Sequence, residues 1–242
     1  MYDKSAAVYD LIYRNNKDYS EEARRLDYLF SQLPSKPKTI LDVACGTGQH
    51  ALHLKQEFGY QVDGIDIEPS FIGIAGSKNS NATFTVADMA DFDLATTYDA
   101  IICLFSSIAY LKSIENLNKA IQCFGTHLHP KGILVLEPWI EPGMDVSKIN
   151  DCIENTCPST GLSVQRKRTH SIENEMSRID IDYTVRQKSG AVTHFSETHL
   201  LGLFSRDQIQ NAFHLAGLTA TYAEPGLHNK GIYIAQKSPN TP

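Results

Sequence analysis

The run Leu41-Asp42-Val43-Ala44-Cys45-Gly46-Thr47-Gly48-Gln49-His50 carries the densest chemistry in the chain. A buried strand runs into a glycine turn that opens a helix, and Gly46 and Gly48 permit backbone angles and close approach that a Cβ would forbid. Gly46-x-Gly48-x-x-Ala51 also satisfies a dinucleotide fingerprint, so the glycines alone leave the ligand open. Asp42 bears on that choice. Four residues ahead of Gly46, it would add negative charge near a pyrophosphate, whereas a sulfonium cofactor with a methionine ammonium group can use a carboxylate there. Asp66, with Ile67 beside it, stands twenty residues after Gly46, where an acid can accept hydrogen bonds from two ribose hydroxyls. Asp88-Met89 sets an acceptor for an adenine amino group next to an apolar side chain that can lie against the ring. Leu104-Phe105-Ser106-Ser107 completes the set.

These groups need strands that end together. From Thr39 onward, β-rich runs alternate with helical segments, the pattern of a parallel sheet covered on both faces. Strands are expected over 39–44, 61–67, 83–87, 100–104 and 133–137, so that four successive carboxyl ends carry ligand groups. Ser113 to His127 reads as a helix with Ile114, Leu117, Ile121, Phe124 and Leu128 on one stripe, closed by His129-Pro130-Lys131-Gly132. After Trp139 the period changes. Ile179, Ile181, Tyr183 and Val185 alternate with polar residues as in a half-buried antiparallel strand, with 162–172 and 191–201 as its neighbours. A helix over 206–216 and a hairpin through Tyr222 and Ile232-Tyr233-Ile234 finish the chain, with 238–242 expected to be disordered. Residues 2–30 read as helical, and Tyr9, Tyr13 and Tyr19 suggest a flap rather than a core helix. The whole is expected to be one α/β domain over 1–242: a doubly wound, seven-stranded, mostly parallel sheet with a small antiparallel insertion over 140–201 and an N-terminal flap over 1–30.

With 242 residues, the chain can bury a substantial core unaided. Its apolar runs are strand-sized and its first residues lack a secretory profile, so a cytoplasmic protein with no membrane segment is expected. The formal charge of −6 comes from interspersed acids, with no basic block to follow a nucleic acid. Cysteines 45, 103, 123, 152 and 157 form no CxxC pair and read as reduced thiols, Cys103 and Cys123 as small hydrophobes. The pairs His50/His53 and His127/His129 lack the further ligands a metal site would need.

The strand-end set from Leu41 to about Trp139 resembles, in order and spacing, the Rossmann-like S-adenosylmethionine-dependent methyltransferases. That resemblance implies S-adenosylmethionine, with Asp66 on the ribose, Asp88 and Met89 around the adenine, and Ala44, Gly46 and Leu104 near the methionine part; Asp42, Gly48 and Ile67 complete the expected cofactor-binding set. A closer likeness spans nearly the whole chain. Tyr9-Asp10-x-x-Tyr13-Arg14, Lys17-Asp18-Tyr19, Asp88-Met89-x-Asp91-Phe92, Phe105-Ser106-Ser107-Ile108 and Glu137-Pro138-Trp139 are similar to the N,N-dimethyltransferases of nucleotide-linked deoxyaminosugars. It implies that Tyr19 closes over the cofactor, that Tyr13 and His127 lie near the amine, and that Trp139, Lys167, Thr169, His170 and Lys230 handle the nucleotide. The sequence departs from that pattern at Ile140, where a second tryptophan is common, at Tyr110 in place of a histidine, and at Lys167 and Lys230 in place of arginines.

Methyl transfer needs an amine in line with the methyl, and a group to take the ammonium proton. His127 suits that proton by its chemistry and also suits a helix C-terminus; for Tyr13 the alternative to a place near the amine is amphipathic packing. Arg166 and Arg168 read as solvated surface, facing away from Lys167. The alternatives are methylation of another small metabolite, a non-catalytic S-adenosylmethionine-binding protein, and an NAD-dependent oxidoreductase. A small-molecule substrate and a monomer or homodimer are expected.

Overall fold

The computed structural model describes residues 4–79, 81–146, 149–227 and 231–237. The expectations for Lys230 and for 238–242 fall outside them. The chain divides into two compact units, Tyr19–Pro142 with Leu203–Pro242, and Met1–Asp18 with Gly143–Gly202.

The larger unit holds a seven-stranded sheet. Its strands are β1 (Thr39–Val43), β2 (Gln61–Asp66), β3 (Phe84–Val86), β4 (Tyr98–Cys103), β5 (Leu128–Leu136), β10 (Leu218–Ala223) and β11 (Ile232–Lys237), in the order β10-β11-β5-β4-β1-β2-β3. Every described pairing is parallel except those of β11. The order reverses between β1 and β4, so the crevice outside their carboxyl ends is the place where such sheets take ligands. Alternation builds two cores. Ile40, Val62, Ala100, Ile102, Ile133 and Val135 pack with Leu26 and Phe30 of α2 (Tyr19–Ser31) and Leu54 of α3 (Gln49–Phe58). Leu41, Val43, Ile65, Ile101, Leu134 and Leu136 face Leu117, Ile121 and Phe124 of α5 (Ile114–His127) and Phe213 of α6 (Arg206–Leu215). Helix α4 (Pro69–Lys78) links β2 to β3. Ser113 caps α5 by accepting the Asn116 N–H, and Ser205 with Gln208 forms a full capping box on α6.

Two expectations need correcting here. Ile114 is 45% exposed, because it sits in the first turn of α5, ahead of the buried stripe. The run His129-Pro130-Lys131-Gly132 is not a loop but part of β5, which pairs Leu128 with Tyr98 and then shifts register to pair Ile133 with Ala100.

The smaller unit is an antiparallel meander, β6 (Asp151–Thr156), β7 (Ser163–Glu173), β8 (Met176–Arg186) and β9 (Val192–Gly202). Strand β6 was not legible in the sequence: Ile153 is the only large aliphatic in Asp-Cys-Ile-Glu-Asn-Thr, so no alternation marks it. One face of the sheet buries Val164, Arg166, His170, Ser177, Ile179, Ile181, Tyr183, Glu197 and His199. Residues 4–18 belong to this unit, where a short 3-10 turn Ala6–Val8 and α1 (Tyr9–Tyr13) bury Val8, Tyr9, Leu11 and Ile12. Ser5 donates from its N–H and hydroxyl to Glu197 (3.1 and 2.8 Å), and Asn155 donates to the Ile12 carbonyl (2.9 Å). The helical reading of residues 2–30 resolves, among the described residues, into the 3-10 turn, α1 and α2, broken at 14–18, with α1 in the smaller unit and α2 in the larger.

Candidate active site at the carboxyl edge of the parallel sheet

The glycine turn after β1 is held from three sides. Cys45 donates its N–H to the Ile65 carbonyl (3.0 Å), the Asp66 carboxylate accepts the Gly46 N–H (2.9 Å), and Asn79, just past α4, donates to the Gly48 carbonyl (3.3 Å). Gly48 has φ +74°, and a Cβ there would meet Asn79 at 2.8 Å and Ala75 at 2.9 Å, so position and conformation both demand glycine. Gly46, at φ +55°, faces open space where its Cβ would stand. Ala44 also adopts a positive φ, 56°, directly ahead of the turn. Asp42 is buried one step back along β1.

Asp66 ends β2. Its other oxygen accepts the Glu68 N–H (2.9 Å), and burial raises its pKa above the ordinary aspartate range, against those backbone donors. The carboxylate as a whole keeps acceptor capacity for a further donor. Next to it Ile67 is 58% exposed, an apolar side chain that the protein itself leaves uncovered. Asp88 is exposed and accepts the Ala90 N–H through Oδ1 (2.9 Å), while Met89 packs against the core behind it. At the end of β4, Leu104 turns its side chain into the core, so its contribution to the edge is main chain. Tyr19 opens α2 with its ring 5.0 Å from that of His50, in the first turn of α3, and His50 bonds Glu22 (2.6 Å). Trp139 follows β5, half-buried, at the same edge. The ends of β1, β2, β3, β4 and β5 and the start of α2 thus bring these residues to the edge where the topology calls for a ligand.

His127 does not join them. It ends α5, and the strand that follows begins there by pairing with Tyr98, the first residue of β4; this is the amino edge of the sheet, opposite the glycine turn. Its Nδ1 bonds the Cys123 carbonyl (2.9 Å), its Nε2 accepts the Leu94 N–H (3.1 Å), and its ring packs on Phe92 (centroids 4.4 Å apart). Both nitrogens serve main chain, so His127 locks a helix end and is withdrawn as the proton acceptor.

In the smaller unit the residues named for the nucleotide do not share a face. Lys167 and Thr169 are exposed, opposite Asp182 and Asp180. His170 is on the other face, buried and bonded to the Ser177 hydroxyl (2.6 Å). The expectation that Arg166 and Arg168 are solvated is overturned for Arg166, while Arg168 is half-buried. Arg166 is 4% exposed and forks onto Asp151 (2.9 and 3.0 Å), Arg168 bonds the same carboxylate (2.7 Å), and the Nε of each is buried without a partner among the described residues. Tyr13 lies under Arg166, 5.4 Å from ring centroid to guanidinium, and against Tyr9 (4.8 Å). Burial raises the Tyr13 phenol pKa, with Arg166 and Arg168 opposing the shift. Alternation along β7 told which residues share a face; which face is covered depends on residues 4–18, far away in sequence.

Three comparisons bear on this arrangement. Residues 40–132 match a family described as a methyltransferase domain. The chain is 35% identical over 234 residues to the dTDP-3-amino-3,6-dideoxy-alpha-D-glucopyranose N,N-dimethyltransferase of Streptomyces fradiae, covering 94% of this chain and 89% of that protein. Among solved structures, Streptomyces venezuelae DesVI superposes with a TM-score of 0.90 at 33% identity, over 97% of this chain and 99% of that one. CalS10, an amino pentose methyltransferase from Micromonospora echinaspora solved with bound S-adenosylmethionine, gives 0.84 at 28%, over 96% and 97%. The oxidoreductase and non-catalytic alternatives fall away: the chain belongs to the S-adenosylmethionine-dependent methyltransferases, in the family of the dTDP-aminosugar N,N-dimethyltransferases.

Proposed function

We propose that this protein is a cytoplasmic enzyme that N-methylates the amino group of a nucleotide-linked deoxyaminosugar, working as a monomer or homodimer. One observation carries the reading. The family match ends at residue 132, whereas the likeness to the sugar enzymes runs on through the antiparallel sheet, the part of the chain that a generic methyltransferase domain does not need. Among the described residues no helix is long and apolar enough to cross a membrane.

The edge residues fit the cofactor. Asp66 would accept from the ribose hydroxyls through its remaining lone pairs, Ile67 and Met89 would flank the adenine with Asp88 at its amino group, and the open ground beside Gly46 leaves room for the methionine part. Bound there, S-adenosylmethionine supplies a methyl group on a sulfonium. A neutral amine supplies its own lone pair, so the chain's main task is alignment. Tyr13, with its pKa raised, stays protonated at neutral pH and serves as a hydrogen-bonding group for the acceptor rather than as a base. Buried Arg166 and half-buried Arg168, whose Nε groups have no partner among the described residues, are better suited to an anionic acceptor than the exposed Lys167 and Thr169.

S-adenosylhomocysteine release, followed with a dTDP-linked aminosugar, the same aminosugar free, and a dTDP-sugar without the amine, tests the reading. Turnover is expected only with amines, with kcat/KM highest for the dTDP-linked one. Equal efficiency for the free aminosugar would remove the nucleotide from the proposal.

A further inference from the structure

Strand β5 leads into Glu137, which is fully buried. Its Oε2 accepts the Phe105 N–H (2.8 Å), while Oε1 has no hydrogen-bond partner among the described residues. A carboxylate so placed is costly unless something positive comes to it.

What it holds is unusual as well. Phe105 and Ser106 take φ +54° and +61°, two consecutive non-glycine residues in the left-handed region. Two contacts from one dipeptide fix them: Glu137 on the Phe105 N–H, and the Pro138 carbonyl on the Ser106 hydroxyl (2.7 Å). The register places this device. Leu136, Cys103, Val43 and Ile65 stand in one row across β5, β4, β1 and β2, so the next row outward is Glu137, Leu104, Ala44 and Asp66. Asp42 lies one step back on the Asp66 face. Cys103, between these strands, has its pKa raised first by burial, then by the charges of Asp42, Glu137 and Asp66.

We propose that Glu137 is a positioning residue of the methyl-transfer site: one oxygen fixes the Phe105–Ser106 turn, and the other keeps a negative charge at the β4–β5 end of the cofactor crevice that favours the cationic sulfonium over the neutral thioether product. The inference rests on the cofactor and not on the identity of the acceptor. S-adenosylmethionine and S-adenosylhomocysteine differ by the methyl group and its charge, so their affinity ratio, measured without acceptor, reads the local field. Glu137→Gln keeps an amide oxygen for the Phe105 N–H and removes the charge.

Titration calorimetry of both ligands against the parent, Glu137→Gln and Glu137→Ala makes the test. Glu137→Gln is expected to hold S-adenosylhomocysteine within about twofold and to lose about tenfold for S-adenosylmethionine, the size of one charge at intermediate range and intermediate dielectric. Glu137→Ala, which frees the turn, is expected to weaken both. A ratio taken on one sample does not depend on the fraction that folds. A parental ratio in Glu137→Gln would overturn the charge role, and parental affinity for both ligands in Glu137→Ala would overturn the clamp.

Discussion

Asp66 does two jobs at one position. It ties the glycine turn to β2 through the Gly46 N–H and presents lone pairs to the crevice. Asp66→Ala should weaken S-adenosylhomocysteine binding by about 1 to 3 kcal/mol, the worth of charged hydrogen bonds lost in a partly buried site, as calorimetry would read it. The pH dependence has a definite sign. Burial raises this carboxyl's pKa, and the proposed ribose contacts need the ionised form as acceptor, so affinity should fall as pH is lowered through that raised range, above the ordinary aspartate pKa. Without ligand the linkage reverses: the folded chain holds this proton more tightly than the unfolded one, so this group's contribution to stability declines as pH rises through the same range. Asp66→Asn should bind with no such pH dependence. A parental pH profile in Asp66→Asn would remove Asp66 from the cofactor site.

At the scale of elements, strand direction decides more than residue type. His127 has the right chemistry for a base, yet a helix that leaves the carboxyl edge after β4 must end at the amino edge, where its ring closes the junction with β5. His127→Ala should therefore lower stability by about 1 to 3 kcal/mol through two unmade main-chain bonds while leaving kcat of the folded enzyme within about twofold. A large loss of kcat at full folding would restore it to the chemistry. The same reasoning marks what was legible. The buried strand before Gly46 and the acids at the ends of β2 and β3 were readable because local sequence sets a strand end and its last side chain. The alternation of β8 was readable because one face is apolar. The contact of Glu137 with the Phe105 N–H was not, since it joins the ends of two different strands. Nor was the burial of Arg166, which depends on Asp151 and Tyr13 arriving from other segments.

For the whole molecule, the two units divide the labour as proposed: cofactor residues lie in the larger one, and Tyr13, Arg166 and Arg168 in the smaller. The central claim is that a methyl group passes from S-adenosylmethionine to the nitrogen of a nucleotide-linked aminosugar. Incubating the protein with cofactor labelled on its methyl carbon and a dTDP-linked deoxyaminosugar, then locating the label in the product by NMR, tests it directly. The account predicts one or two labelled methyls on the sugar nitrogen, with S-adenosylhomocysteine formed in equal number. Label on oxygen or carbon, or cofactor left intact beside a dTDP-linked aminosugar, would contradict it.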